Sequence, residues 1–237
     1  MRALILAAGR GERMRPLTDT MPKPMLSVGG KPLIVWHIEN LRAAGVHEVV
    51  INHAHLGNVI EEALGDGMAF DVKIQYSREG EALETAGGIA FALPLLEEDI
   101  FAVINGDVYT DFPLHQLAEA VQRLRRDPQL LGHLVLVANP PQHPNGDFAL
   151  SDGKVFREGQ TMLTYSGIGV YRRSMFDAIE RGAKAKLAPL LYEAIDRGQL
   201  SGEYYKGIWN DVGTPERLAN VDRAIFERQL AHGYRGG

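Results

Sequence analysis

The sequence predicts an α/β fold in which helices cover both faces of a mostly parallel central sheet. Short apolar runs of strand length, such as residues 3–8 and 100–104, alternate with longer segments of helical spacing. Strands that alternate with helices in this way build parallel sheets. With 45% hydrophobic residues, the chain of 237 residues can also bury the core that such a fold requires.

The elements of the N-terminal half follow one another in a regular order. A helix over residues 31–45 starts with Pro32, which suits a first helical turn, and stops at Gly45. Further strands are predicted over residues 46–52, 71–76, 100–104 and 133–137, further helices over residues 55–64, 89–93 and 113–126, and a glycine-containing loop over residues 77–88. Because parallel sheets bind ligands beyond the carboxyl ends of their strands, we expect residues 9–15 to lie at a binding site.

The region after residue 138 departs from this order. Residues 139–146 are rich in proline, asparagine and glycine and form a loop. Short strands follow over residues 147–150, 154–156 and 163–171, then helices over residues 174–181 and 186–197 and a strand-like stretch over residues 204–210. We expect the short strands to form a small inserted β layer over the binding site. A final helix starts at Thr214 and runs to about Leu230, and the glycine-rich tail is expected to fray.

Composition excludes several classes of protein. The formal net charge of −5 argues against extended nucleic-acid binding, which requires a basic face. No stretch approaches the roughly 20 apolar residues of a membrane span. The absence of cysteine excludes disulfides and thiolate metal sites. We therefore expect a cytoplasmic protein without membrane or nucleic-acid partners, and its oligomeric state has no signal in the sequence.

The N-terminal loop supplies the clearest candidate binding site. The first strand ends in Gly9-Arg10-Gly11, where backbone without Cβ atoms can turn tightly and present N–H groups to an anion. Arg13 follows at once, and Lys23 lies between two prolines that stiffen its loop. A strand, a glycine turn and a set of cations together indicate a polyphosphate site.

Two common kinds of glycine loop do not fit these residues. A dinucleotide-binding fingerprint needs a third glycine where Met14 stands, and it needs an acid about 20 residues further on. A P-loop needs a hydroxyl residue directly after its lysine, whereas Lys31 is followed by Pro32. The polyphosphate must therefore be bound by another kind of loop.

Four motifs of this chain resemble those of the sugar-1-phosphate nucleotidyltransferase family. They occur in the family's order and span nearly the whole chain: residues 6–18 with Pro22-Lys23-Pro24, residues 85–88, residues 105–107 and residues 211–214. The resemblance implies a Rossmann-like three-layer sandwich in one domain over residues 1–237. Its nucleotide-binding part covers about residues 1–110, and its sugar-phosphate-binding part covers about residues 111–232.

The resemblance implies a catalytic group made of Lys23, Arg13, Asp107 and Asp211. A sugar phosphate attacks the α-phosphorus of a nucleoside triphosphate, so catalysis consists mainly of alignment and charge neutralisation. Asp107 and Asp211 both follow strand-like stretches, and strand ends that meet at one rim would place them together as ligands of Mg²⁺. Trp209 stands just before Asp211 and is expected to help position it.

The nucleotide-binding residues are also taken from the resemblance. They are Ala7, Ala8, Gly9, Gly11, Glu12, Arg13, Lys23, Glu79, Thr85 and Gly87. Glu79 is expected to accept a hydrogen bond from uracil N3–H, and the alternative is that Glu79 and Glu81 are solvated acids of a loop. Glu84 stands where many members of the family carry glycine, so the loop that contacts the base is expected to differ here.

For the sugar phosphate, the resemblance indicates a further set of residues. They are Asn105, Asn139, Gly146, Asp147, Glu158, Ser166 and Lys186. Many members of the family carry a Glu-Lys pair before the equivalent of Ser166, whereas this chain has Arg157-Glu158 in reverse order. Lys186 is the expected substitute cation, and an exposed lysine at a helix start is the alternative.

Several stretches favour UTP and N-acetylmuramate 1-phosphate as the small-molecule substrates. The alternatives are mannose or glucose 1-phosphate with GTP, dTTP or UTP. A non-catalytic nucleotide-sugar-binding regulatory subunit on the same fold is an alternative of another class. Such a subunit is expected to lack a metal carboxylate or the loop lysine, and this chain keeps Lys23, Asp107 and Asp211.

Overall fold

The computed structural model describes residues 1–233, which form 13 β-strands and six α-helices. The strands are β1 (Ala3–Leu6), β2 (Ser27–Val28), β3 (Lys31–Pro32), β4 (Glu48–His53), β5 (Lys73–Arg78), β6 (Ile100–Asn105), β7 (Val108–Thr110), β8 (Gly132–Val137), β9 (Phe148–Ser151), β10 (Lys154–Phe156), β11 (Met162–Arg172), β12 (Leu200–Tyr205) and β13 (Trp209–Asp211). The helices are α1 (Leu33–Ala43), α2 (Gly57–Leu64), α3 (Glu84–Leu96), α4 (Leu117–Arg126), α5 (Leu187–Asp196) and α6 (Pro215–Gly233). The expected fraying of the tail concerns residues outside this range.

Nine strands form one central sheet in the order β5-β4-β1-β6-β11-β8-β12-β10-β9. The four strands from the N-terminal half are parallel, with β1 between β4 and β6. Leu6 at the end of β1 is in register with Asn52 of β4 and Asn105 of β6. The predicted parallel sheet is therefore confirmed in this half, and its strands end together at one rim.

The other half of the sheet is mixed. Strand β11 runs antiparallel to both of its central neighbours, β6 and β8. Strands β9 and β10 pair with each other. In addition, β9 pairs with β11 and β10 pairs with β12. Of the three strands that were expected to form an inserted layer, β9 and β10 extend the edge of the central sheet, and β11 lies inside the sheet between β6 and β8.

Apolar side chains fill both faces of the sheet and produce the three layers. Alternate strand residues such as Ile5 and Ile51 pack with α1, α2 and α4 on one face. Their neighbours Leu4 and Val50 pack with α3 and α5 on the other face. The alternation follows from the period of two in strands that are buried on both sides, and it confirms the predicted α/β class.

Helix α3 begins earlier than the sequence predicted. It starts at Glu84 rather than at Ile89, so the Thr85-Ala86-Gly87-Gly88 motif is helical and not part of the preceding loop. A Cβ atom on Gly87 would lie 2.4 Å from the Ala183 carbonyl oxygen. Gly87 therefore allows the helix to pack closely against the backbone at Ala183. In the sequence this glycine looked like a loop residue, because glycines usually mark turns and loops.

Two other predicted elements were wrong. Residues 174–181 form no α-helix: a short 3₁₀ turn, Arg173–Phe176, is followed by turns. Phe176 is buried there against Phe101 and Tyr171, with ring centroids 6.2 and 5.8 Å apart. The stretch 204–210 is divided between β12 in the central sheet and β13, which pairs with β7 outside that sheet.

A third, smaller apolar cluster connects the C-terminal helix to the N-terminal loop. Val221 and Ile225 of α6 pack with Met14, Leu33 and Val212. This packing fixes α6 beside the glycine turn, although the two are far apart in the sequence. Among residues 1–233, no helix is both long and apolar enough to cross a membrane.

The packing role of Gly87 can be tested by its substitution with alanine. Gly87→Ala should lower the free energy of unfolding by about 1–3 kcal/mol, because the new methyl group collides with fixed backbone. This cost opposes the roughly 1 kcal/mol that alanine gains over glycine in a helix. Urea unfolding measures the difference.

Gly9→Ala is the matched control, because a Cβ atom on Gly9 would have no neighbour within 4 Å. It should leave stability within about 1 kcal/mol of the parent. Equal stability of the Gly87→Ala variant and the parent would contradict the packing role.

Candidate active site

Side chains of the loop after β1 hold its glycine turn in shape. Gly11 has a φ of 67°, and a Cβ atom there would lie 2.9 Å from Thr18 Cγ2. The Thr18 hydroxyl donates a hydrogen bond of 2.8 Å to the Gly11 carbonyl. Buried Met14 anchors the following 3₁₀ turn, Glu12–Met14. Glycine is therefore needed at position 11 for both its backbone conformation and its space.

A cavity of about 440 Å³ opens in front of the ends of β1, β4 and β6. Most of the predicted nucleotide-binding residues line it, namely Ala7, Ala8, Gly9, Gly11, Glu12, Arg13, Lys23 and Thr85. Ala82, just before α3, and Glu84 and Thr85 at its start also line the cavity. The structure therefore brings the glycine turn and the α3 motif to one cavity of nucleotide size.

Lys23 lies at the centre of the charged groups of this cavity. Its side chain is only 8% exposed, and Nζ lies 2.6 Å from Asp107 Oδ2 and 4.0 Å from Asp211 Oδ1. Pro22 and Pro24 flank it in the 3₁₀ turn Lys23–Met25. Three of the four predicted catalytic residues, Lys23, Asp107 and Asp211, are thus within contact distance, although they come from three distant parts of the chain.

A small antiparallel pair of strands brings the two aspartates together. Asp211 at the end of β13 is in register with Val108 of β7, and the Val212 N–H donates to the Asp107 carbonyl at 3.1 Å. The sequence predicted that Asp211 would follow a strand of the central parallel sheet, and this was wrong. Its strand pairs with β7, which directly follows Asp107.

Arg217 is a charged residue of this group that sequence reasoning missed. Its Nη1 lies 2.6 Å from Asp211 Oδ2, in the first turns of α6. Its backbone N–H donates to the Thr214 hydroxyl at 3.3 Å. The available signal was an arginine that follows Asp211 closely, just inside a helix start. Arg217 holds one carboxylate oxygen of Asp211 and leaves the other oriented toward Lys23.

Asn52 and Glu79 brace the far end of the cavity. The Ala7 N–H donates to Asn52 Oδ1 at 2.8 Å, and the Asn52 amide donates to Glu79 Oε1 at 2.5 Å. The other oxygen of Glu79 accepts the Leu83 N–H at 3.0 Å. Burial raises the pKa of Glu79, although its hydrogen bonds from Leu83 and Asn52 oppose that rise.

This network changes the interpretation of Glu79. Asn52, which sequence reasoning missed, lines the cavity, whereas Glu79 and Gly87 do not. The Glu79 carboxylate connects β4 to the start of α3 behind the cavity wall. Its two carboxylate oxygens accept hydrogen bonds from Asn52 and Leu83, and its contact with uracil stays a prediction.

A second cavity of about 280 Å³ adjoins the first and shares Arg13, Asn105 and Asp107 with it. A β-bulge in β11, between Tyr165 and Ile168, turns Ser166 toward this cavity. The remaining lining residues are Val108, Gln142, His143, Thr164, Tyr165, Trp209 and Asp211. Bulges re-aim side chains at functional sites, and this one positions the predicted Ser166.

Trp209 and the bulge support each other. The Trp209 indole donates a hydrogen bond of 2.8 Å to the Ser166 carbonyl. Gly167 has a φ of 78°, and a Cβ atom there would lie 2.5 Å from Asn105 Nδ2. The approach of strand β13 to the bulge therefore fixes the wall of the second cavity beside Asp211.

Three predicted sugar-binding residues lie outside the second cavity and fix the loop that borders it. Asn139 accepts the Thr164 hydroxyl at 2.9 Å, and Gly146 packs so closely that a Cβ atom would lie 2.7 Å from Asn139 Oδ1. Asp147 accepts the Tyr165 N–H at 2.8 Å and lies 2.9 Å from His143 Nε2. These residues fix the loop that carries Gln142 and His143 but line neither cavity.

Glu158 and Lys186 are exposed and line neither cavity. Lys186 stands directly before the first residue of α5 as an exposed lysine at a helix start, and Glu158 lies in the loop between β10 and β11. The structure therefore does not bring either of them to the site. The cations that it does place there are Arg13, Lys23 and Arg217.

A glycine turn at parallel strand ends, a buried lysine and two adjacent carboxylates define a protein that binds a nucleoside polyphosphate and reacts at its phosphates. The profile of the nucleotidyl transferase family matches residues 2–228. The chain belongs to this family.

Two curated relatives and one solved structure locate the chain within the family. It is 54% identical to N-acetylmuramate alpha-1-phosphate uridylyltransferase of Neisseria meningitidis serogroup B, over 92% of this chain and 95% of that protein. It is 30% identical to mannose-1-phosphate guanylyltransferase of Mycobacterium tuberculosis, over 99% of this chain and 68% of that protein. A Bacillus anthracis structure, provisionally assigned as a glucose-1-phosphate thymidylyltransferase, has the same fold, with a TM-score of 0.83 at 21% identity and 95% coverage of both chains.

The contact between Arg217 and Asp211 predicts that both the positive charge and the length of the side chain at position 217 are needed to hold the Asp211 carboxylate. If Asp211 ligates a divalent cation, Arg217→Ala should raise the cation concentration needed for half-maximal nucleotidyl transfer by about 10–100-fold, as losses of partners behind metal ligands typically do. Arg217→Lys should recover part of this loss. Initial rates at varied cation concentration measure the effect.

Arg223→Ala is the control, because Arg223 is an exposed arginine further along the same helix. It should leave the cation dependence unchanged. A cation dependence of Arg217→Ala that equals that of the parent would show that Asp211 is held without it.

Proposed function

We propose that this protein transfers a uridylyl group from UTP to N-acetylmuramate 1-phosphate, forming UDP-N-acetylmuramate and pyrophosphate. The observation that carries the proposal is 54% identity to the Neisseria uridylyltransferase over 95% of its length. The guanylyltransferase relative is far more distant, at 30% identity. The substrate would then be a sugar phosphate of peptidoglycan recycling, and because UTP is an intracellular metabolite we assign the reaction to the cytoplasm.

We further propose that one domain carries the reaction. Residues 1–110 would bind the nucleotide and residues 111–232 the sugar phosphate. The central sheet is continuous through both parts, since β6 pairs directly with β11. The cavities on the two sides of Asp107 would then hold the two substrates.

In the proposed reaction an oxygen of the sugar phosphate attacks the α-phosphorus of UTP. The bond between that phosphorus and the oxygen bridging to the β-phosphate breaks, and pyrophosphate leaves. Amide groups of residues 9–11 and the Arg13 guanidinium would neutralise the β- and γ-phosphates. Lys23 would exchange its contact with Asp107 for the α-phosphate, where charge builds up in the transition state.

Asp107 and Asp211 fit a magnesium ion by their donor chemistry. Magnesium takes one or two carboxylates together with phosphate oxygens and water, and these two side chains are 39% and 27% exposed beside the cavity. When bound, the ion would neutralise phosphate charge and align the two reacting groups. Arg217 would keep Asp211 oriented for this ligation.

The sugar phosphate would occupy the second cavity. Asn105 and Ser166 line it, and Arg13 borders both cavities. Because Arg13 is assigned to the β- and γ-phosphates, the incoming phosphate would be neutralised mainly by the magnesium ion on the carboxylates between the two cavities. Asn139, Gly146 and Asp147 would act through the loop that they fix, and Glu158 and Lys186 have no contact that supports their predicted roles.

A regulatory subunit without catalysis is the alternative of another class. Loss of the loop lysine or of a metal carboxylate would favour it. Lys23, Asp107 and Asp211 are all present and in contact distance. The arrangement therefore supports an active enzyme.

The proposal predicts which substrate pair releases pyrophosphate fastest. With magnesium present, UTP and N-acetylmuramate 1-phosphate should give a kcat/KM at least about 100-fold above GTP with mannose 1-phosphate, a ratio typical of discrimination by binding groups. Removal of divalent cations with EDTA should abolish release, and added magnesium should restore it.

The measurement is a panel of UTP, dTTP and GTP against N-acetylmuramate, glucose and mannose 1-phosphates, with pyrophosphate as the readout. Mass spectrometry of the sugar nucleotide controls for triphosphate hydrolysis. Equal or faster release with GTP and mannose 1-phosphate would overturn the substrate assignment.

A further inference from the structure

Glu84 is an acid in the nucleotide cavity that the mechanism above does not use. It is the first residue of α3 and lines the same cavity as the glycine turn. Its φ of 62° belongs to the left-handed region, which residues with a Cβ atom rarely adopt. Glycine would adopt this conformation without strain, so the backbone alone gives no reason for a glutamate here.

The carboxylate of Glu84 is exposed and unpaired in the described structure. The other two acids of the cavity have cationic partners: Glu12 lies 3.0 Å from Arg10, and Asp107 lies 2.6 Å from Lys23. Glu84 has no hydrogen bond or ion pair with any residue of the range 1–233. A strained residue whose side chain is free at a cavity wall is a candidate for ligand contact.

The charge of Glu84 limits which part of a nucleotide it can face. The phosphates must lie near Arg13 and Lys23, because a carboxylate would repel them. Glu84 must therefore face the uncharged nucleoside. Uridine offers hydrogen-bond donors at the ribose hydroxyls and at N3–H of the base.

The geometry of a carboxylate selects between these donors. Its two oxygens match two neighbouring hydroxyls, and acidic residues bind ribose in this manner in other nucleotide sites. The N3–H of uracil lies between two carbonyl oxygens, which would repel the second oxygen of the carboxylate. A carboxylate with both oxygens free is therefore better matched to the ribose.

We propose that Glu84 accepts hydrogen bonds from the ribose hydroxyls and selects ribonucleotides over deoxyribonucleotides. This inference rests on the proposed function only in naming UTP as the nucleotide. It makes Glu84 a specificity residue, distinct from the groups that act on the phosphates. Its substitution should change discrimination at the 2′ position more than it changes turnover of the deoxy substrate.

The test compares UTP with dUTP. The parent should prefer UTP by about 10–100-fold in kcat/KM, the range expected for a hydrogen bond to a charged acceptor. In Glu84→Gly this preference should fall to less than about 3-fold, because UTP loses the contacts to both hydroxyls whereas dUTP loses only the contact to its 3′ hydroxyl. Glu84→Gln keeps one acceptor and should retain part of the preference.

Glu97→Gly is the matched control. Glu97 is at the other end of α3, also has a positive φ, of 54°, and lies outside the cavity lining. This control removes the same side chain and the same kind of strain, together with the contact of Glu97 to Arg2. It should keep the parent's preference for UTP over dUTP.

Equilibrium binding of UTP and dUTP without sugar phosphate separates this inference from the proposed function. If the parent binds UTP in preference to dUTP but transfers nothing to N-acetylmuramate 1-phosphate, the ribose role stands and the substrate assignment fails. An unchanged UTP preference in Glu84→Gly overturns the ribose role. An equal loss for UTP and dUTP, with a changed preference for UTP over CTP, overturns it in favour of a contact to the base.

Discussion

The contact between Lys23 and Asp107 is the interaction on which the rest of the site depends. A lysine with 8% of its side chain exposed must have an anionic partner, and Asp107 provides it at 2.6 Å. The lysine comes from the proline-flanked turn after β1, and the carboxylate follows β6 at the adjacent strand end. Their contact therefore ties the phosphate-binding loop to the rim of the central sheet.

The same contact organises the C-terminal part of the chain. Strand β7 begins directly after Asp107 and pairs with β13, which delivers Asp211. Arg217 then holds Asp211 from α6, and α6 packs back against Met14 of the loop. The alternating order of cation and anion keeps each carboxylate neutralised before a substrate arrives. Under the proposed mechanism, phosphates and a magnesium ion would take over these partners without a large rearrangement of the backbone.

The sequence alone could predict the parts of the fold and the site that depend on local signals. The apolar run that ends in Gly9-Arg10-Gly11 marks a strand followed by a turn, and the prolines around Lys23 mark a rigid loop. The aspartates were predicted from the resemblance to the family, and each of them follows a strand-like stretch. Patterns of this kind are contained within a few neighbouring residues.

The features that the sequence could not supply depend on contacts between distant segments. Asn52 is a strand residue whose role appears only when Ala7 and Glu79 are seen on either side of it. Gly87 resembled a loop residue because its packing partner is almost 100 residues away. Arg217 resembled an ordinary helix residue until β13 placed Asp211 beside it. Lys186 was a plausible cation by type, and only the topology shows that it lies outside both cavities.

The central claim is that Lys23 and Asp107 stabilise each other across the site before any ligand binds. A double-mutant cycle with Lys23→Met and Asp107→Asn, followed by urea unfolding without substrate or divalent cation, measures this directly. We predict a coupling energy of about 1–3 kcal/mol, because each single substitution leaves one charge without its partner. Additivity of the two substitutions within about 0.5 kcal/mol would contradict the account.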